Sequence, residues 1–286
     1  MSTAKYYGLD RSEFIRFALE EDVGDGDHTS LSTIDEHKQG TASVRFKEDG
    51  IVAGIDIAHE ILKSVDKHIQ TELLASDGDP IGNGQVVMQV SGSIRSMLKA
   101  ERLLLNCMQR MSGIATLTSQ YVRAVSGTKA KILDTRKTTP NFRQFEKIAV
   151  KLGGGYNHRT GLYDMILIKD NHVDAAGGIS HALNNAKEYL QKTKKKLLVE
   201  IETRSLEEVR QALESNVVTR IMLDNFDTGI LAEAVKLING RVETEASGGI
   251  TLNNVRQYAL SGVDFISVGA ITHSYRSLDI SMKISL

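Results

Sequence analysis

The chain has 286 residues, of which 41% are hydrophobic, and this is enough to bury the cores of two domains or of one barrel with an extension. Its formal net charge of −1 excludes a general attraction to nucleic acid or to an acidic membrane, so any affinity for anions must be local. A single cysteine, no long apolar run and a polar N-terminus predict a cytoplasmic protein without disulfides or a membrane span.

The first predicted element is a helix over residues 10–21, where apolar residues recur at helical spacing. The segment that follows, EDVGDGDHTS, offers Asp22, Asp25, Asp27 and His28 as possible metal ligands. It lacks the later bidentate glutamate of a calcium-binding hand, and Asp-Gly pairs form turns without any ligand. The sequence therefore favours a turn here over a metal site.

The rest of the N-terminal part predicts a small α/β sandwich. The alternating segment 40–54 is typical of a hairpin that turns at Asp49-Gly50, and a helix is predicted over 56–65. Two further strands, IQTELLAS and QVVMQVSGS, are joined by a segment rich in turn residues. We find little chemistry in this part of the chain.

A long helix, either continuous or broken near Ser112-Gly113, is predicted over residues 94–125. Cys107 lies in its apolar run and is expected in the core rather than as a nucleophile. Arg102 lies among leucines in AERLLLN. Periodicity alone makes it an ordinary surface residue, whereas a charge at this position would also suit an ion pair or a bound anion.

From Lys131 onward, strands and helices alternate. The strand candidates are KILDT, MILIK, LLVEIET, RIMLDN, VETEAS and FISVGA, and helices such as RQFEKIAVKLG, LEEVRQALES and GILAEAVKLI lie between them. This alternation predicts a parallel sheet, and six consecutive strand-helix units favour a barrel over an open sheet. Polar residues follow each strand, so we expect them to line one mouth of the barrel.

The segment Ile132–His172 concentrates positive charge where the first two of these strands end. Its cations are Arg136, Lys137, His158, Arg159 and Lys169. So many like charges repel one another in a cleft unless an anion lies among them. The alternative, separate surface residues, suits any one of them better than it suits all five. We therefore predict a site for a polyanion.

The later strand ends predict the remaining parts of the same site. Glu202 and Asp224 suit ribose hydroxyls or a Mg²⁺ ion that accompanies a diphosphate, or alternatively an ion pair with Lys169 or Arg136. The glycine-containing loops Ser247-Gly248-Gly249 and Ser267 to Ala270, which includes Gly269, suit a phosphate. Together these features outline a phosphoribosyl donor beside a small acidic acceptor.

With these residues in view, the chain resembles the quinolinate phosphoribosyltransferases, the decarboxylating nicotinate-nucleotide pyrophosphorylases of NAD biosynthesis. The resemblance runs almost end to end through EDVGDGDHTS, AERLLLN, RMSGIAT, DTRKTTP, GGGYNHRTGLYDMILIKDNH, VEIET, IMLDNF, EASGGI and ISVGAITHS. It implies an N-terminal α/β sandwich with its linking helix over 1–118, an incomplete TIM-like α/β barrel over 119–275, and a segment 276–286 that returns to the sandwich. It also implies a homo-oligomer, a dimer or larger, in which the partner's sandwich closes each site.

The resemblance further implies a role for each site residue. Arg136, His158 and Arg159 would hold the two carboxylates of quinolinate, with Arg102 reaching in from the neighbouring subunit. Lys137 and Lys169 would serve the diphosphate and the reacting end. Glu202 and Asp224 would hold the ribose hydroxyls and Mg²⁺, and the two glycine loops would bind the 5-phosphate of phosphoribosyl pyrophosphate. The catalytic set would be Lys137, Lys169, Glu202 and Asp224, with no nucleic acid or membrane as partner.

Three other functions remain open from the sequence. A Schiff-base aldolase acting on a sugar phosphate would use Lys169 as its amine with the same phosphate loops. A related phosphoribosyltransferase would share the architecture but take a different acceptor, as does the relative associated with molybdate uptake. A non-catalytic phosphate-ligand sensor would keep the glycine loops, but it has no use for the Arg136, His158 and Arg159 cluster.

Overall fold

The computed structural model describes residues 8–285, and within them the chain forms two compact units. The sandwich unit comprises residues 8–119, 138–154 and 274–285, and the barrel unit comprises residues 120–137 and 155–273. Each unit is thus built from separate stretches of chain. The division into 1–118, 119–275 and 276–286, which treats the domains as consecutive segments, stays a prediction.

The sandwich unit is organised around an antiparallel sheet. Its elements are α1 (Arg11–Val23), α2 (His28–Thr33), β1 (Gln39–Phe46), β2 (Gly50–Ile51), α3 (Ile55–Val65), β3 (Gln70–Leu73), β4 (Pro80–Ile81), β5 (Val86–Ser93), most of α4 (Ile94–Ala124), α5 (Arg143–Leu152) and β12 (Ile280–Ser285). The main sheet has the order β12-β1-β5-β3, and β2 pairs separately with β4. The C-terminal strand β12 therefore completes the sheet of the N-terminal strands.

The predicted hairpin over 40–54 is wrong. Strand β1 lies between β5 and β12, and its neighbour in sequence, β2, pairs with β4 instead. The chain after β1 is held by Glu48, whose carboxylate accepts the backbone N–H of Asp279 at 2.6 Å and pairs with Arg276. These partners are distant in sequence, so local alternation carried no information about them.

The predicted helices of this unit are confirmed, including the long helix, which runs unbroken as α4. Asp10 caps α1 by accepting the backbone N–H of Glu13 at 2.8 Å. Cys107 is buried on α4, and burial raises the pKa of its thiol to about 12. The thiol therefore stays protonated near neutral pH and belongs to the core, as predicted.

The barrel unit alternates strands and helices. Its elements are β6 (Lys131–Leu133), β7 (Ile166–Ile168), α6 (Asp170–Ala176), α7 (Ile179–Thr193), β8 (Val199–Thr203), α8 (Leu206–Leu213), β9 (Arg220–Asp224), α9 (Thr228–Ile238), β10 (Glu243–Ser247), α10 (Val255–Leu260), β11 (Phe265–Ser267) and α11 (Ala270–His273). All six predicted strands are present, and they form one parallel sheet in the order β6-β11-β10-β9-β8-β7. Within the described residues the two edge strands, β6 and β7, do not pair with each other, so the barrel is incomplete, as predicted.

Parallel register brings the carboxyl ends of these strands to one edge of the sheet. Ser247 at the end of β10 pairs with Asp224 at the end of β9, and Ser267 at the end of β11 pairs with Leu133 at the end of β6. Strand β8 is buried along its whole length, including both of its glutamates. Among the described residues, no helix is long and apolar enough to cross a membrane.

Candidate active site

A cavity of about 850 Å³ lies at the carboxyl ends of the barrel strands. Every predicted site residue except Arg102 lines it, namely Arg136, Lys137, His158, Arg159, Lys169, Glu202, Asp224, Ser247, Gly248, Gly249, Ser267, Gly269 and Ala270. Arg102 is exposed on α4 and is not among the lining residues. The further polar lining residues include Asn225, which was expected at the mouth without a role, and Glu245 and His273, which the sequence did not single out.

One end of the cavity carries the predicted cations. We call Arg136, Lys137, His158, Arg159 and Lys169 the cationic end. The loop after β6 is fixed on both sides of Lys137, whose backbone N–H donates to Oγ1 of Thr135 at 3.0 Å. The carbonyl of Lys137 accepts the hydroxyl of Thr272 at 2.8 Å. The backbone that carries the first two cations is therefore anchored within the barrel unit.

Burial and a neighbouring cation both disfavour the positive charge of Arg159. Burial lowers the pKa of the Arg159 guanidinium, and the nearby Arg136 lowers it further. Glu200 and Asp164 act in the opposite direction without reversing the shift. Two half-buried guanidiniums that repel each other make an environment in which a bound anion is stabilised.

The loop that carries His158 and Arg159 is held by two carboxylates. Asp164 accepts the backbone N–H groups of Thr160 at 2.7 Å and of Gly161 at 2.9 Å. Asp134, buried at the end of β6, accepts the backbone N–H of His158 at 2.8 Å. These bonds satisfy the backbone of an irregular loop and fix the start of the Arg159 side chain.

A buried charged cluster lies beneath the cationic end. Nε2 of His158 is 2.9 Å from Oε2 of Glu200 and 3.5 Å from Oε2 of Glu245. Arg220 lies 3.0 Å from the same Glu245 oxygen and also pairs with Glu243 at 2.9 Å. Burial raises the pKa of Glu200 to about 7, against the pull of Arg220. It also raises the pKa of Glu245 to about 8, and here the neighbouring Glu200 adds to the effect.

Among the described residues, His158, Glu200 and Glu245 are the one group of three acidic or imidazole side chains that converge closely enough to hold a metal ion. The guanidinium of Arg220 already faces Glu245 there, and it would repel a divalent cation. The cluster is therefore better suited to an internal network of ion pairs than to a metal. In the Asp22 to His28 segment the chain turns between the end of α1 at Val23 and the start of α2 at His28, and Asp27 caps α2 by accepting the N–H of Ser30 at 3.0 Å.

Two carboxylates lie between the ends of the cavity. Glu202 is nearly buried and Asp224 half-buried, at the ends of the adjacent strands β8 and β9. Burial raises the pKa of Glu202, Lys169 lowers it, and Asp224 raises it. Nζ of Lys169 lies 3.4 Å from Oε2 of Glu202, so the ion pair considered as an alternative is present, although loosely. Both carboxylates still line the cavity.

The opposite end is made mainly of backbone. We call residues 247–249 and 267–270 the glycine end. Gly248 and Gly249 have φ angles of 94° and 60°, which L side chains rarely adopt. A Cβ on Gly248 would overlap Oδ1 of Asn225, so the loop after β10 is in close contact with the loop after β9. Asn225 also donates its backbone N–H to the carbonyl of Ser247 at 2.9 Å and its side-chain amide to Asp224 at 2.6 Å.

The second glycine loop is equally close to its neighbours. A Cβ on Gly269 would lie 3.0 Å from Cδ of Lys137 and 3.0 Å from Nε2 of His273. Glycine at this position therefore lets two cationic or polar side chains approach the backbone of the glycine end. His273 lines the cavity from the short helix α11.

The residues missed from the sequence left only weak signals. Glu200 and Glu202, like Glu243 and Glu245, are two apart on a strand, so both members of each pair point to the same face. This spacing places two carboxylates on one face of each of two strands, but of these four glutamates the sequence predicted only Glu202 as a site residue. Asn225 follows Asp224 directly, and His273 lies in a segment whose motif was noted without assigning that residue.

Most of the chain matches the two domains of one known family. The model described as the quinolinate phosphoribosyl transferase C-terminal domain matches residues 114–283, and that of the N-terminal domain matches residues 27–112. A chloroplastic nicotinate-nucleotide pyrophosphorylase [carboxylating] from Arabidopsis thaliana is 49% identical over 290 residues, which covers 96% of this chain and 83% of that protein.

Bacterial relatives are similar in sequence and in structure. A probable nicotinate-nucleotide pyrophosphorylase [carboxylating] from Bacillus subtilis is 42% identical over 266 residues, covering 93% of this chain and 90% of that protein. The solved structure of the nicotinate-nucleotide pyrophosphorylase from Francisella tularensis superposes with a TM-score of 0.91 at 39% identity, covering 97% of this chain and 98% of that one.

Proposed function

Because the chain belongs to the quinolinate phosphoribosyltransferase family, we propose that its cavity binds quinolinate at the cationic end and phosphoribosyl pyrophosphate at Glu202, Asp224 and the glycine end. The enzyme transfers the phosphoribosyl group of phosphoribosyl pyrophosphate to the ring nitrogen of quinolinate, with decarboxylation. The products are nicotinate mononucleotide, diphosphate and CO₂, in a step of NAD biosynthesis. The observation that supports this division of the cavity most is the convergence of five cations at one end and glycine backbone at the other.

The cationic end matches a planar dicarboxylate. Arg136 and Arg159 each carry a fork of N–H donors that fits a carboxylate, and the repulsion between them is relieved when an anion binds. His158 lies at the base of the same end. Lys137 and Lys169 would lie nearer the reacting atoms and the diphosphate, where a point charge on a flexible stem suits a leaving group.

Mg²⁺ is the cofactor that we propose, held by Glu202 and Asp224 and largely through the substrate. The donor set fits, because Mg²⁺ prefers one or two carboxylates plus substrate phosphates to a site made wholly of protein ligands. When bound, the ion would neutralise charge that develops on the diphosphate. The same two carboxylates would orient the ribose by accepting its hydroxyl hydrogens.

The chemistry then needs positioning more than a protein nucleophile. Cleavage of the C1–O bond places positive charge on the ribose and negative charge on the diphosphate, and Lys137 and Lys169 stabilise the latter. The cationic end holds the ring nitrogen of quinolinate in line with C1. After ribosylation the cationic nitrogen stabilises the carbanion left by CO₂, and a lysine or water supplies the proton.

The assembly and location are also proposals. We propose a homo-oligomer, a dimer or larger, in which Arg102 reaches the site of the neighbouring subunit, and a cytoplasmic location. Mixing Arg102→Ala with Arg136→Ala protein tests the first part, because a mixed dimer has one site with both arginines and one with neither. Random exchange of subunits should restore roughly a quarter of the sites. No recovery, with exchange verified by differential tags, would assign Arg102 to its own subunit or to no site.

The reaction is tested by incubating the purified chain with quinolinate, phosphoribosyl pyrophosphate and Mg²⁺, and measuring CO₂ and nicotinate mononucleotide. Release of both in equal amounts, and loss of turnover on chelation of the metal, is the expected result. Turnover of nicotinic acid but not of quinolinate would overturn the two-carboxylate assignment. Trapping of a borohydride-reducible adduct on Lys169 would instead favour the aldolase chemistry.

A further inference from the structure

The hydrogen bonds of His158 define which ring nitrogen carries the proton. The backbone N–H of Arg159 donates to Nδ1 of His158 at 2.7 Å. A backbone amide can only donate, so Nδ1 must keep its lone pair. A protonated imidazolium would direct a second hydrogen against that N–H. The geometry therefore requires a neutral ring with its hydrogen on Nε2.

The other ring nitrogen faces the buried carboxylates. Nε2 lies 2.9 Å from Glu200 and 3.5 Å from Glu245, and both glutamates are completely buried. Arg220 holds Glu245 from the opposite side at 3.0 Å. The side chain of His158 is itself only 6% exposed. Nδ1 thus accepts a hydrogen bond from the backbone, and Nε2 lies in contact with the two buried glutamates.

We propose that Glu200 and Glu245 are positioning residues that act through His158, holding its ring so that Nδ1 fixes the backbone of Arg159 and with it the direction of that guanidinium. The inference rests on the proposed function only in taking Arg159 to contact a substrate carboxylate. Direct contact with the carboxylates of quinolinate is then made by Arg136 and Arg159, together with Arg102 of the neighbouring subunit. The imidazole of His158 supports the arginine beside it.

Charge balance is consistent with a neutral ring. The carboxylates of this cluster already face Arg220, which pairs with both Glu245 and Glu243. The guanidinium of Arg159 adds a second positive charge close to Glu200. An imidazolium would lower the pKa of Glu245, but it would also add a third cation beside Arg136 and Arg159.

A spectroscopic test requires no substrate. Long-range ¹H–¹⁵N correlation of ¹⁵N-labelled full-length protein at pH 7 distinguishes a protonated from an unprotonated ring nitrogen, and the signals of His158 are identified by their loss in His158→Asn. We expect a neutral ring with hydrogen on Nε2. A doubly protonated ring, or hydrogen on Nδ1, would overturn the inference, because neither can accept the Arg159 N–H.

A matched pair of variants separates support of Arg159 from direct contact with substrate. In His158→Asn the amide oxygen lies near the position of Nδ1, and in His158→Gln the amide lies near that of Nε2. The asparagine variant should keep the KM for quinolinate within about threefold, and the glutamine variant should raise it by about tenfold or more. The reverse order, an equal loss, or an equal rise in the KM for phosphoribosyl pyrophosphate would contradict the inference.

The carboxylates have a matched control on the same strand. At pH 9, above the pKa of about 8 of Glu245, Glu245→Gln keeps the size of the side chain but removes its negative charge beside His158, and we expect about a tenfold rise in the KM for quinolinate with kcat within about twofold. Glu243→Gln removes an exposed partner of the same Arg220 and should leave both constants unchanged. Equal effects of the two variants would mean that Arg220 pairing alone matters, and would overturn the role of Glu245.

The outcome of these tests can be distinguished from a failure of the proposed function. If the protein does not convert quinolinate, the assignment of the reaction falls, whereas the ¹⁵N measurement still reports on the ring. If it converts quinolinate while His158 is doubly protonated, the reaction stands and the positioning role falls.

Discussion

The two ends of the cavity provide for anions in different ways. The cationic end uses side chains, and buried groups below it hold those side chains in place, as Asp134 and Glu200 do around His158. The glycine end uses backbone, and its close contacts depend on the absence of a side chain at Gly248 and Gly269. An arginine guanidinium can bind a carboxylate through two parallel hydrogen bonds, whereas the backbone of a glycine loop can approach a tetrahedral phosphate more closely.

This difference predicts different kinds of sensitivity. At the cationic end, a substitution should act through charge and through the angle of a side chain, so conservative variants should keep part of the affinity. At the glycine end, one added methyl group should act through volume, and its effect should depend on what lies beside that glycine. Variants that change one property at a time can therefore test whether the two ends differ in this way.

We expect the largest effect from Gly248→Ala. Its Cβ would overlap Asn225, which also donates to Asp224 at 2.6 Å, so displacement of the asparagine would move a carboxylate of the site as well. The kcat/KM for phosphoribosyl pyrophosphate should fall by about a hundredfold or more, since small displacements of positioned groups have effects of this size. Steady-state kinetics with each substrate varied, beside a thermal melt, measures it.

Gly249→Ala is the matched control for volume. Gly249 has a φ of 60°, yet among the described residues, its two chain neighbours aside, no atom lies within 4 Å of the position that a Cβ would take. Its substitution carries only the backbone penalty of about 1–2 kcal/mol, and kcat/KM should fall by less than about tenfold. If Gly249→Ala and Gly248→Ala lose activity equally, backbone conformation rather than close contact determines the glycine end.

Arg136→Lys should have the next largest effect, and it tests the cationic end. Lysine keeps the charge but loses the planar fork, so the KM for quinolinate should rise by about tenfold to a hundredfold with the KM for phosphoribosyl pyrophosphate unchanged. Arg204→Lys, an exposed arginine that pairs with Asp174 and Glu208, is the control and should change neither constant. Equal rises in both substrate constants for Arg136→Lys would show that the ends are not independent.

The same contrast explains what the sequence could predict. The strands that carry the site were predicted correctly because each has its own apolar pattern and a polar end. The loops of the glycine end were recognisable because glycine after a strand is itself a local signal. By contrast, the roles of Asn225, Glu200 and Glu245 depend on neighbours contributed by other strands. The partners of β1 were missed for the same reason, since β12 follows it by more than 230 residues.

A smaller effect is expected between the two ends, at Lys169. Burial raises the pKa of Glu202 and Lys169 lowers it, so removing the lysine should raise this pKa further. If ionised Glu202 is needed, the acid limb of kcat/KM for phosphoribosyl pyrophosphate should move to higher pH in Lys169→Gln, by about one pH unit. The position of the acid limb is compared rather than the height of the profile, because Lys169→Gln also removes a positive charge that is proposed to interact with the substrate. An unchanged acid limb would exclude Glu202 as the group that titrates.

The smallest effect concerns the support beneath the cationic end. The pKa of Glu245 is about 8 in the folded protein and near 4.5 for an exposed glutamate, so the folded state holds this proton more tightly. Its stabilising contribution is therefore complete below about pH 4.5 and is lost as the pH rises through about 8. Glu245→Gln removes that loss, and the melting temperature should fall less between pH 6 and pH 9, by about 2–4 °C. If the melting temperature of Glu245→Gln falls with pH as steeply as that of the unaltered protein, Glu245 is already ionised in the folded state. The buried cluster beneath the cationic end would then be fully charged at neutral pH.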